Sequence, residues 1–252
     1  MPTETDHRNR YNPRRVLTTA EGFRKIAKDI KFPGNLQGKV ILDVGSGGSD
    51  TVAELRKHGA NAFGVDLQYG NIPGLTIHLA QQLADPMAWV EGRNWPALSK
   101  EEADQMLGLD QPPAPRFAQW MINHLGDYRA RMALTHRHFL NDVSTRNGNY
   151  IAATAETLPF PDNSVDFYFS IEAITAFMLG TKRVFKRVMD EAHRVIKPGG
   201  EIQLHPWINP DPNYWSEQQV YNGMDYMNEL RSKNIPFEIN RRGQLYLLSI
   251  HP

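Results

Sequence analysis

The clearest chemical signal in this chain is Asp43-Val44-Gly45-Ser46-Gly47-Gly48-Ser49, which closes a continuous apolar run, with Asp66 standing 21 residues beyond Gly45 at the end of a second run. Glycines directly after a strand let a ligand approach backbone N–H groups near a helix N-terminus. An acid ending the next strand can accept hydrogen bonds from both ribose hydroxyls. The pattern predicts a ligand containing adenosine. A dinucleotide fingerprint requires glycine at position 50, where Asp50 stands, and a carboxylate at a helix start repels a pyrophosphate. S-adenosylmethionine (SAM) carries no phosphate, and its sulfonium and ammonium groups tolerate nearby acids, so the electrostatics favour it.

Methyl transfer from such a donor asks mainly that a nucleophile be held in line with the S–CH3 bond. An acceptor that carries a proton also needs a base. Two candidates fall at the carboxyl ends of strands, where open α/β sheets bind ligands: His205 and Glu172. Each has a plainer alternative, a hydrogen-bonded structural histidine and an acid stabilised by a helix N-terminus. The aromatic residues Trp207, Tyr214, Trp215 and Tyr221 either wall a substrate pocket or pack the core. His136 and His138 are spaced i, i+2, which puts them on opposite sides of a helix, and no thiol completes a set, so no metal site is expected.

The elements that must position these residues are legible from periodicity. Val40–Val44 reads as a strand buried on both faces of a parallel sheet, and Val165–Ser170 as a further strand. Shorter strands are expected at Asn61–Asp66, Tyr150–Thr154 and Glu201–His205. Helices are expected near 19–31, after Ser49 to Lys57, at Thr181–Ile196, stopped by Pro198-Gly199-Gly200, and near 214–232. Pro236–Asn240 and Gln244–Ile250, joined by Arg241-Arg242-Gly243, read as a closing hairpin. Strands alternating with helices indicate α/β with a mostly parallel sheet.

Residues 71–148 break the alternation, being far longer than a normal crossover. They include Trp89, Trp95 and Trp120, either a local core or in part a substrate contact. Ser99 and Glu102 form a capping box. Phe117, Trp120, Met121, His124 and Leu125 make an amphipathic stripe closed by Gly126, and Asp127 can cap a helix running to about Leu140. The expected organisation is an N-terminal arm and helix over 1–38, a nucleotide-type domain over 39–252, and within it a helical insertion, 71–148, packed on the ligand-binding edge as a cap. Tyr11 and Phe23 are the residues to watch if the arm closes as a lid; its plainer reading is a solvated lead-in.

LDVGSGGS, GVDL, AETLPFPDNSVDFYFS and VIKPGGEI resemble, in order and spacing, the motifs of class I SAM-dependent methyltransferases, closest to the small-molecule branch whose third motif reads D-A-E-x-L-P-F. The resemblance covers residues 39 to about 206 without the insertion. It implies a Rossmann-like, seven-stranded, mostly parallel sheet with a closing antiparallel hairpin. It also implies that Asp43, Gly45 and Gly47 line the methionine part of SAM, that Asp66 holds the ribose, and that Ser46 and Leu67 belong to the same cofactor site. Thr154, Ala155 and Glu156 would meet the adenine, and Ser170 would sit beside the sulfonium. The chain departs from the family at Ser49, where a third glycine is common, and at Thr154, where an acid is common.

Composition bounds the rest. The chain has 252 residues, 28 Lys+Arg against 28 Asp+Glu, and no Cys. Zero net charge argues against coating nucleic acid or an anionic membrane. Without Cys there are no disulfides, thiolate metal sites or thiol nucleophiles. The start has no apolar signal region and no 18-residue apolar stretch occurs, so a cytoplasmic protein is expected. The reading is a methyltransferase that moves the methyl group of SAM to a small-molecule O, N or C acceptor and releases S-adenosylhomocysteine (SAH), with a homodimer possible through the Phe117–Leu125 face. The alternatives are a SAM-binding protein without transfer, a partner subunit, and a protein substrate.

Overall fold

The computed structural model describes residues 23–85, 94, 96–107, 109, 132–145, 149–208, 215–242 and 245–252, the side chains of 24, 25, 176 and 177 excepted. In chain order these are α1 (Phe23–Asp29), β1 (Val40–Val44), α2 (Thr51–Lys57), β2 (Asn61–Val65), a 3-10 turn (Leu67–Gly70), α3 (Ile72–Ala84), α4 (Lys100–Leu107), α5 (132–145) and β3 (Tyr150–Ile151). There follow β4 (Val165–Ile171), a π turn (Ile174–Met178), α6 (Lys182–Val195), β5 (Ile196–Trp207), α7 (Glu217–Ser232), β6 (Phe237–Arg242) and β7 (Leu245–Ile250).

The strands form one seven-stranded sheet in the order β3-β2-β1-β4-β5-β7-β6, parallel through β5 and antiparallel at β7 and β6. The order reverses between β1 and β4, so the loops leaving their carboxyl ends diverge and leave a crevice. β1 and β4 are buried on both faces, which is why their sequences are mostly apolar, with Asp43 in β1 and Asp166 and Ser170 in β4 as the polar exceptions. One face carries α1 to α5 over a core that includes Ile26, Leu55, Leu79 and Phe139; the other carries α6 and α7 over Phe185, Val188, Trp207 and Tyr226. In α6 the buried residues Phe185, Val188, Met189, Ala192 and Val195 fall on one stripe.

Several boundaries differ from expectation. β3 stops at Ile151 because Thr154 leaves the ladder to bridge Thr157 in a tight turn. β5 begins at Ile196, and Pro198-Gly199-Gly200 forms a bulge inside it instead of only stopping α6: the register jumps between Val165 and Phe167 of β4, with Gly199 at φ 75°. Arg241 and Arg242 pair with Tyr246 and Leu245 as strand residues, not turn residues. α5 runs on to 145, beyond Leu140. The capping box forms as expected, with Ser99 Oγ accepting from Glu102 N–H and Glu102 accepting from Ser99 N–H. Tyr11, Trp89, Trp95, Trp120, Tyr214, Asp127 and the Phe117–Leu125 stripe lie outside the described residues. Among the described residues no helix is long and apolar enough to cross a membrane.

Candidate cofactor site

A cleft of about 580 Å³ opens at the carboxyl ends of β1, β2 and β4, a size that holds a ligand of several hundred daltons. Its floor is the loop after β1. Gly45 (φ 76°) and Gly47 (φ 51°) adopt left-handed backbone, and the Gly45 N–H donates to Val65 O at 2.8 Å, tying the loop to β2. At the end of β2, Asp66 caps the 3-10 turn. Its Oδ1 accepts from Gln68 N–H at 2.9 Å and its Oδ2 from Gly47 N–H at 3.1 Å, so the carboxylate is oriented before any ligand arrives.

The cleft wall contains Gly45, Gly47, Asp66, Leu67, Thr154, Ala155, Glu156 and Glu172. Leu67 is 67% exposed on the rim, a large apolar side chain with an open face. Glu156 is tied to the guanidinium of Arg187, which anchors the Thr154–Glu156 turn to α6. Asp43, Ser46, Ser170 and His205 are not on the wall; each is buried behind it. Ser46 donates its hydroxyl proton to Tyr69, whose own O–H donates to Gly47 O at 2.8 Å. Ser170 Oγ accepts from Ile174 N–H at the start of the π turn. His205 sits under the end of the sheet, where its carbonyl accepts the Glu172 N–H at 2.6 Å.

Ser49 and Asp50 also face away from the cleft. Ser49 Oγ accepts from Thr51 N–H and so satisfies a donor at the start of α2; it does not crowd a ligand. Asp50 Oδ1 accepts from Phe23 N–H at 2.8 Å, which ties its carboxylate to the start of α1. Gly48 is covered by protein: a Cβ there would lie 2.8 Å from both His136 Nδ1 and Leu79 Cδ2. Phe23 itself packs on Phe32 and His58, away from the cleft. Trp207 and Trp215 are core residues beside α6 and α7, and Tyr221 faces solvent, which settles their open reading in favour of packing and surface. Among the described residues no cluster has the make-up of a metal site.

Sequence reasoning missed the residues that segment 71–148 brings to this site. α3 lays His78, Leu79 and Gln82 along the cleft, and α5 places His136 Nδ1–H 3.1 Å from Gly48 O. Burial pushes the His136 imidazole down to about 4, against the pull of that hydrogen bond. Burial also lowers His78, although the Asp66 charge opposes it. Asn71 followed by Ile72-Pro73 was a usable helix-start signal, since Asn71 Oδ1 accepts from Gly74 N–H and proline stands in the first turn.

Two buried acids carry measurable consequences. Burial, and then the charge of Asp66, hold the Asp43 carboxyl well above the usual carboxylate range. Between the unfolded and folded values the native state keeps a proton that the unfolded chain has released, so stability falls as pH rises through that window. Asp43→Asn is therefore expected to melt above the wild type at pH 8, with the gap shrinking toward pH 4; equal melting curves at both ends would contradict a raised Asp43. Glu172 holds φ 61°, while the other described non-glycine residues at positive φ are Asn163 and Asn234, a type that tolerates this region. Strain of this kind persists where the surroundings enforce it. Glu172→Gly should release about 1 kcal/mol and raise the melting temperature by about 2–4 °C; a fall in melting temperature would show that Glu172 contacts outweigh its backbone cost.

The model of a family described as methyltransferase domain matches residues 121–204, the stretch from the insertion through β5 that contains AETLPFPDNSVDFYFS and VIKPGGEI. Over that third of the chain, the sequence is similar to methyltransferase domains. Two curated relatives align with part of this chain. A demethylmenaquinone methyltransferase of Listeria welshimeri is 30% identical over 96 residues, 38% of each protein. A ubiquinone/menaquinone biosynthesis C-methyltransferase of Pseudoalteromonas translucida is 31% identical over 88 residues, 34% of this chain and 33% of the relative. The alignments thus span well under half of the curated relatives' length. A solved SAM-dependent methyltransferase from Aquifex aeolicus overlays 98% of this chain and 92% of its own at 15% identity and a TM-score of 0.40.

Proposed function

We propose that the cleft binds SAM and that the protein transfers its methyl group to a small-molecule O, N or C acceptor, releasing SAH. The observation that carries this reading is the pre-oriented Asp66 carboxylate beside a left-handed glycine loop, in a cleft whose charged lining side chains among the described residues, Asp66, Glu156 and Glu172, are all acidic. Such a lining suits a nucleoside carrying positive charge and no phosphate. Bound there, SAM supplies an electrophilic methyl group on a sulfonium, which needs no further activation.

In this reading Asp66 accepts from the ribose hydroxyls, Leu67 covers one face of the adenine, and the Thr154–Ala155 turn meets its edge. Gly45 and Gly47 leave room for the methionine part. Glu172 stands closest in sequence to the β4 end and is the base candidate that faces the cleft; His205 lies behind the wall and acts through the Glu172 backbone. Segment 71–148 serves as the cap and the specificity element. The curated relatives are named for demethylmenaquinone and for ubiquinone and menaquinone biosynthesis, so a demethylated quinone is the first acceptor to offer. A cytoplasmic location and a homodimer through the Phe117–Leu125 stripe belong to the same proposal.

The test is calorimetric titration with SAM and SAH, followed by methyl-labelled SAM with a quinone pool. Micromolar binding of both supports the reading, and label in the organic phase supports transfer. Folded protein that binds neither compound overturns it.

A further inference from the structure

We propose that His78 and Gln82, both on α3 and outside the motifs shared with the family, form the subsite for the α-amino-acid end of SAM and SAH. The inference rests on the cofactor reading above and adds residues to it. Leu79, between the two, packs against Gly48 so closely that a Cβ there would meet its Cδ2 at 2.8 Å. The turn 78–82 therefore stands beside the glycine loop, and it lines the same cleft as the Thr154–Glu156 turn. With the ribose on Asp66 and the adenine toward that turn, the amino-acid end falls beside α3.

The chemistry of the two side chains matches a zwitterion. No Lys or Arg is among the described lining residues, so a ligand carboxylate must take its hydrogen bonds from neutral donors. Gln82 Nε2 lies 3.0 Å from His78 Nε2, one turn away; the amide donates one N–H there, which places the His78 proton on Nδ1 and leaves a second amide N–H for a ligand. Gln82 is nine-tenths buried, and its Oε1 has no hydrogen-bond partner among the described residues. A buried amide oxygen without a donor is costly, and a ligand ammonium supplies one.

The probes are SAH and 5′-methylthioadenosine, which keeps the nucleoside and sulfur but lacks the amino acid. Gln82→Leu, close to Gln in size, should weaken SAH about tenfold or more while leaving 5′-methylthioadenosine within about twofold. His78→Asn should weaken SAH selectively as well, and carries the same test should Gln82→Leu fail to fold. Parallel losses for both compounds, or no loss for either, overturn the subsite while leaving the cofactor reading in place. Wild-type protein that binds neither compound overturns the cofactor reading, and the subsite with it.

Discussion

Gly45→Ala is expected to abolish SAH binding and to remove a large share of the fold's stability. Gly45 sits at φ 76°, and an added Cβ would lie 2.1 Å from Ala173 Cβ. That distance is inside any van der Waals contact, and neither partner is the end of a flexible side chain. The loop cannot swing away freely, because the Gly45 N–H is bonded to Val65 O and the Gly47 carbonyl to the Tyr69 hydroxyl. Overpacking of this kind costs about 1–3 kcal/mol, and the left-handed backbone adds about 1–2 kcal/mol for a residue with a Cβ. Denaturant titration would read the loss. The double variant Gly45→Ala/Ala173→Gly removes the clash and leaves the backbone cost, so it should recover roughly half of it. Full loss with no recovery in the double variant would mean that the φ requirement alone governs this position.

Asp66→Ala carries the second large effect. The carboxylate already accepts Gln68 and Gly47 N–H groups, and two oxygens offer about four acceptor directions, so two remain for ribose hydroxyls. A hydrogen bond to a charged group contributes about 1.5–3 kcal/mol, so loss of even one predicts at least about a tenfold weaker SAM or SAH, and loss of both a hundredfold or more. Asp66→Asn should fare almost as badly. Its amide must turn an NH2 toward either Gly47 N–H or Gln68 N–H, setting donor against donor. Thermal unfolding separates this from general damage: the cap on the 3-10 turn is worth about 1 kcal/mol, too little to unfold the chain. Unchanged affinity in both variants would remove Asp66 from the site.

The strands were readable where burial on both faces writes a mostly apolar run, as in Val40–Val44 and Val165–Ile171. They were less readable where the chain leaves the ladder early, as at Thr154, or where a bulge hides inside turn-like residues, as at Pro198-Gly199-Gly200. Within the cleft, glycines and Asp66 were legible because backbone geometry demands those residue types. The partners of Ser49 and Asp50 were not legible, because local capping and the distant Phe23 N–H engage their oxygens. Residues 78–82 were illegible for a different reason. Which face of α3 meets the glycine loop is fixed by packing against Gly48, far away in sequence, and no local period encodes it. The same holds for His205: on a strand buried on both faces, alternation does not say which neighbours a side chain meets.

The two ends of the sheet bear on how the chain behaves in crowded solution. An outermost strand offers unpaired N–H and C=O groups that can recruit another chain and seed aggregates. Here one end is β3, two residues long, too brief to template a stranger. The other is β6, which Pro236 precedes and which carries Glu238, Arg241 and Arg242 along its six residues. Charge and brevity thus guard a sheet whose middle strands, Val40–Val44 and Val165–Ile171, would be among the most self-adhesive segments of the chain if they were ever exposed.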